Sequence, residues 1–206
     1  MNPLDALSPI QRVGILFAFL ALVAAWDLAR NRRLATKWRE YSFLLAGGGL
    51  GALFGVANDL LTSRISPEYF VAGKGLEPGD GFLLRVCELG AYAGFVGGTI
   101  AACVLLFANS RSSESPLLGY SDLVAITVRC LVFAAVAGLV AGIAAHLVRA
   151  EQFAPDLELA LTPETHHRFV VAWAAHAGVY SGLLAGVIGG VLRIRKKRRG
   201  SDANVD

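Results

Sequence analysis

The sequence predicts an all-α membrane protein of about five transmembrane helices: a leading helix followed by two tandem helical hairpins packed through glycine zippers. Three observations predict it. Hydrophobic residues make up 55% of the 206 and charged ones only 17%, against roughly 25% charged in soluble domains. Five apolar runs reach the ~20 residues that a helix rising 1.5 Å per residue needs to cross ~30 Å of hydrocarbon. Within four of those runs, glycines recur at every fourth position.

The runs cover approximately residues 10–29, 41–61, 82–107, 123–148 and 169–192, followed by a basic tail at 193–206. The connections between them are far shorter than the ~50 residues of a small domain, so the chain reads as a single integral membrane domain, 1–206. The first run has no basic segment ahead of it like that of a cleaved signal peptide. Instead it ends in Asp27 and is followed by Arg30, Arg32 and Arg33, which reads as a retained span.

Orientation follows from Lys and Arg, which concentrate in cytoplasmic loops. Arg30, Arg32, Arg33, Lys37, Arg39, Arg111, Arg193, Arg195, Lys196, Lys197, Arg198 and Arg199 fall on one side. Arg12, Arg64, Lys74, Arg85, Arg149 and Arg168 fall on the other, most of them near acids such as Glu68, Glu77, Asp80, Glu151, Asp156 and Glu158. The N-terminus is therefore expected outside and the C-terminus in the cytoplasm. The net charge of +3 is a topology signal and not a nucleic-acid footprint, and the Arg193–Arg199 tail suits anionic lipid headgroups. Arg129 reads as snorkelling toward the inner face from the fourth span. The absence of any Asn-x-Ser/Thr acceptor agrees with a bacterial inner membrane. Cys87, Cys103 and Cys130 all fall within spans and read as small apolar fillers.

The chain also resembles itself. Gly51, Gly55, Asp59 and Leu60 shift by 87 onto Gly138, Gly142, His146 and Leu147. Gly90, Tyr92, Gly94, Gly98 and Ile100 shift by 88 onto Gly178, Tyr180, Gly182, Gly186 and Ile188. Spans two and three thus correspond to spans four and five as parallel repeats, because two spans per unit preserve orientation. Ser66-Pro67-Glu68 is echoed by Thr162-Pro163-Glu164. In each, a hydroxyl cap, a proline that lacks no needed donor and an acid at the positive end spell a helix start.

The stretch from Asn58-Asp59 through Arg64-Ile65-Ser66-Pro67-Glu68-Tyr69-Phe70 resembles a segment in a loose group of uncharacterised bacterial multi-pass membrane proteins. The resemblance implies the class of protein and carries no activity.

The glycine stripes are Gly47, Gly51 and Gly55; Gly90, Gly94 and Gly98; Gly138 and Gly142; and Gly178, Gly182, Gly186 and Gly190. In lipid, small residues bring helix backbones together where no hydrophobic drive exists. Packing within one bundle is expected first, and a homo-oligomer through the same faces is the alternative. No strand precedes these glycines, so they are not nucleotide-binding loops.

Ionisable residues at membrane depth are expensive and face protein or water. Asp59, Glu88, His146 and His176 are the candidates, all expected at similar depth toward the outside. The repeat places the two carboxylates of the first unit at the positions of the two histidines in the second. Were the copies to face one another, the four would make a transition-metal site, or His146 and His176 would hold a haem. Asp-His and Glu-His pairs are the alternative. Arg85 and Arg149 stand one turn from Glu88 and His146 and are expected to join an ion-pair network. His166 and His167 are expected in the outer loop. No nucleophile, base and orienting residue stand at motif spacing. The expected function is accordingly a non-enzymatic structural or partner-binding membrane component, with transport or metal, haem or proton handling as the alternative.

Overall fold

The computed structural model describes residues 9–32, 37–110, 117–152 and 162–202. Arg33, Arg111, Asp156 and Glu158 lie outside the described residues. The described chain is helical throughout, with no strand: α1 (Pro9–Asn31), α2 (Lys37–Ile65), α3 (Pro67–Lys74), α4 (Phe82–Ala108), α5 (Tyr120–Leu147), a 3-10 turn at Ala150–Gln152, and α6 (Pro163–Asp202). Four of these helices, α2, α4, α5 and α6 over Pro163–Arg199, are long and apolar enough to cross a membrane.

Residues 1–45 form one compact unit and 46–206 another. In the first, the Asp27 carboxylate at the end of α1 accepts from the Asn31 side chain and, at 2.9 Å, from the backbone amide of Lys37. That amide is among the orphan donors of the α2 N-terminus, so Asp27 caps the next helix. Trp26 and Trp38 are both exposed.

The second unit buries many small residues and exposes many large apolar ones. Its buried positions include Gly51, Gly55, Gly90, Gly98, Ala102, Ala134 and Gly138. Its exposed ones include Leu53, Phe107, Leu139, Leu184 and Ile188. Small residues inside and large apolar ones outside is the arrangement that suits lipid.

The glycines set the helix contacts. A Cβ on Gly51 would collide with the Gly94 carbonyl, and one on Gly55 with the Gly90 carbonyl, so α2 and α4 touch backbone to backbone. In the α5–α6 pair, Gly178 lies against Gly138, Gly182 against Ala134 and Gly186 against Cys130. The repeat expected from the sequence would set Gly178 against Gly142, one helical turn from where it lies. Larger groups on α5 and α6 accompany the shift: Gly138 faces the Val179 side chain, and Gly142 faces Ala175.

The two capping triplets behave differently. Ser66 accepts from the Tyr69 amide at 3.2 Å and opens the separate eight-residue α3, which Gly75 closes at φ 70°, a left-handed position that favours glycine. Thr162 accepts from the Thr165 amide at 3.3 Å and opens α6 directly. Helix α6 continues through the basic segment to Asp202. There Arg198 is buried and donates to the carbonyls of Ala108 and Ser110 at 3.3 and 2.8 Å. It thereby satisfies acceptors at the C-terminal end of α4. Lys197 pairs with Asp122 at 2.9 Å, and Asn109 exchanges two 3.0 Å hydrogen bonds with the backbone of Leu118.

Candidate functional site

At the opposite end of this unit, α3 folds over α6. Tyr69 and Phe70 pack with Val86, Phe169 and Ala172 in a buried cluster edged by Leu76, Phe82 and Leu89. The Tyr69 ring lies 4.6 Å from that of His176, tilted by 30°, and Phe70 meets the same imidazole edge-on at 5.9 Å. Burial pushes the Tyr69 phenol well above its usual range, with Tyr180 and Asp59 adding to the shift.

Beneath this aromatic cover, His176 and Asp59 are both buried and face each other, Nε2 to Oδ1, at 3.1 Å. The other ring nitrogen, Nδ1, lies 2.9 Å from the backbone carbonyl of Ala172. Asn58 donates to the same Asp59 oxygen at 3.1 Å and approaches His176 Nε2 at 3.4 Å. A carbonyl oxygen only accepts, so Nδ1 carries a hydrogen. A neutral imidazole then has a bare Nε2, which cannot bond to an ionised carboxylate that also only accepts. Asn58 Nδ2 stands within reach of both and can bridge a bare Nε2 and the carboxylate, whereas a direct Nε2–Oδ1 hydrogen bond needs one further proton, held as imidazolium with carboxylate or as imidazole with carboxylic acid. Either form leaves the pair neutral overall, which is the charge state that burial favours.

The pair lines a cavity of about 110 Å³ whose wall also includes Asn58, Tyr180, Lys74 and the glycines of α2 and α4. A second polar chain runs at the same end. His146 Nδ1 lies 2.9 Å from His167 Nε2, His167 Nδ1 lies 2.6 Å from Glu151, and Glu151 pairs with Arg149 at 2.8 Å. Burial works to raise the Glu151 carboxyl, but the His167 hydrogen bond, its own backbone amide and the charges of His167 and Arg149 hold it below its usual value. His146 also borders an apolar groove of about 590 Å³ shared by α2, α5 and α6.

No protein family is matched by this chain, and no curated protein or solved structure is detectably similar to it. What the site does rests on its own geometry.

The four expected metal ligands are not gathered into one site. Asp59 meets His176, whereas His146 joins His167. Glu88 is exposed and, among the described residues, makes no side-chain hydrogen bond or ion pair. Among the described residues no three His, Cys, Asp or Glu side chains stand where they share a metal ion. The reason for Glu88 is angular. At 100° per residue it points away from its buried neighbours Val86 and Gly90. Arg149 does pair with a carboxylate. Arg85 instead donates to the backbone carbonyls of Asp80 and Glu77, at 3.0 and 2.8 Å.

Asn58, Tyr69, Glu151 and His167 are site residues that the sequence reading passed over. His167 is buried in the second turn of α6 and does not lie in a loop. Its signal was available in the Thr162-Pro163-Glu164 start, which places residue 167 on the helix.

Proposed function

We propose that this chain is a non-enzymatic multi-pass membrane component in which the Asp59–His176 pair is a proton-bearing clasp. The clasp joins α2 to α6 across 117 positions of sequence. The observation that carries the reading is the imidazole with both nitrogens opposite oxygen acceptors, a direct contact that a shared proton completes. In this reading α1 is the fifth span, the two glycine-packed hairpins are diverged copies of one another, and the Arg- and Lys-rich end of α6 lies in the cytoplasm. The lysine and arginine asymmetry supports that orientation.

The test uses an amide as a permanently loaded mimic. Asn at position 59 donates to a bare Nε2 without any added proton. Unfolding of the detergent-purified protein is followed from mildly acidic to alkaline pH for wild type, Asp59→Asn and Asp59→Leu. The clasp reading expects Asp59→Asn to remain folded with a flatter pH dependence, and Asp59→Leu to be destabilised at every pH. Equal loss in both variants would overturn it.

A second reading, proton handling, is favoured by the cavity against the pair. About 110 Å³ exceeds the ~30 Å³ share of one liquid water, and Asp59, His176 and Tyr180 supply polar partners for it. Protein reconstituted in vesicles with a pH-sensitive dye would then pass protons, and Asp59→Asn would stop the flux. No difference from protein-free vesicles would exclude this second reading while leaving the clasp intact.

A further inference from the structure

At the basic end of the bundle, α5 and α6 enclose a groove of about 330 Å³, floored by Cys130, Gly186 and Gly189 and walled by Phe133. Two arginines, Arg129 from α5 and Arg193 from α6, also line it. Both are exposed. Among the described residues neither makes a hydrogen bond or ion pair, whereas Lys197 nearby has Asp122 and Arg198 has its carbonyls.

Arg129 is the telling residue. It lies ~13 Å along α5 from Tyr120 at 1.5 Å per residue, inside a helix apolar enough to span a membrane. An exposed guanidinium at that position needs either an anion or a path to the headgroup layer. Arg193 borders the same groove and offers a second fork of donors, so an anion in the groove has two guanidinium groups on its wall. A Cβ on Gly189 would meet nothing within 4 Å, so the floor of the groove is open.

From this we infer that the groove is a binding site for one anionic phospholipid, its phosphate held between Arg129 and Arg193 and an acyl chain laid over Gly186 and Gly189. A second copy of the chain fits less well, because a two-fold contact here would bring four unpaired arginines together. The inference rests on the bundle lying in a bilayer and is independent of the Asp59–His176 clasp.

The test is native mass spectrometry of the full chain in detergent, with phosphatidylglycerol or phosphatidylcholine added. Wild type is expected to retain phosphatidylglycerol about tenfold or more over phosphatidylcholine. The Arg129→Gln/Arg193→Gln double variant is expected to lose that preference. The Arg195→Gln/Lys196→Gln control, which removes neighbouring charges outside the groove, is expected to keep it. Arg129→Lys/Arg193→Lys, which preserves charge without the fork, is expected to retain part of it, showing that the loss is not misfolding. Equal retention of the two lipids by wild type, or equal loss in the control, would overturn the site. A dimer that the double variant abolishes would overturn it in favour of a second copy.

Discussion

His176 on α6 and Asp59 on α2 share a 3.1 Å contact that a bridging proton completes directly, the other imidazole nitrogen being committed to the Ala172 carbonyl. Breaking one side of such a buried pair typically costs about 3–5 kcal/mol. Asp59→Leu is therefore expected to lower the unfolding midpoint sharply, while His176→Gln, which keeps an amide in hydrogen-bonding reach, should cost less. Thermal unfolding in detergent, read by circular dichroism, measures both.

Backbone contact between α2 and α4 makes a different demand. Gly94→Ala places a methyl against the Gly51 carbonyl, and overpacking of this kind costs about 1–3 kcal/mol. Gly49→Ala adds a methyl where nothing lies within 4 Å, and alanine is the better helix former by up to ~1 kcal/mol. The two variants should move the unfolding midpoint in opposite directions, a comparison that controls for the loss of glycine itself.

Arg198 and Asn109 fasten the basic end. Asn109→Ala removes both hydrogen bonds to the Leu118 backbone, and Arg198→Ala removes the donor to the Ala108 and Ser110 carbonyls. Each is expected to cost about 1–3 kcal/mol at most, the range for leaving a buried donor or acceptor unmet. Amide hydrogen exchange should rise at the end of α4 in both variants. Unchanged protection there would contradict the fastening role.

The Glu151 network predicts a pH effect with a definite sign. A carboxyl held below its usual value in the fold contributes stability above that usual value and loses it as pH falls through the folded one. Acidification through the carboxylate range should therefore remove the Glu151 contribution. Glu151→Gln should show a smaller drop over the same interval, measured by unfolding at stepwise lower pH.

Much of this architecture is legible in the sequence because lipid imposes simple rules. Apolar length marks α2, α4, α5 and α6, and the glycine spacing marks faces that do come into contact. The functional pairing is less legible. The repeat expected from the sequence pairs Asp59 with His146 and Glu88 with His176 as equivalent positions, and equivalence in sequence does not make two side chains touch. The one-turn displacement of α6 along α5 and the outward angle of Glu88 decide which groups meet. Hydropathy puts His167 in a loop because it finds only the greasy part of a helix, beginning near Phe169. The polar first turns from Pro163 are signalled only by their cap. Asn58 and Tyr69 both lie within the stretch that carries the resemblance, yet nothing in their spacing says that the α3 aromatics cover an imidazole 107 positions further on from Tyr69.

The most direct test is the protonation of His176 itself, read from ¹⁵N-histidine NMR spectra of the protein in lipid at neutral pH, with His176→Gln identifying its signals. The account predicts a protonated Nδ1, with Nε2 either protonated as well or accepting from a protonated Asp59. A bare Nε2 beside an ionised Asp59, or a bare Nδ1 beside a protonated Nε2, would mean that the carboxylate is satisfied without any shared proton, and would contradict it.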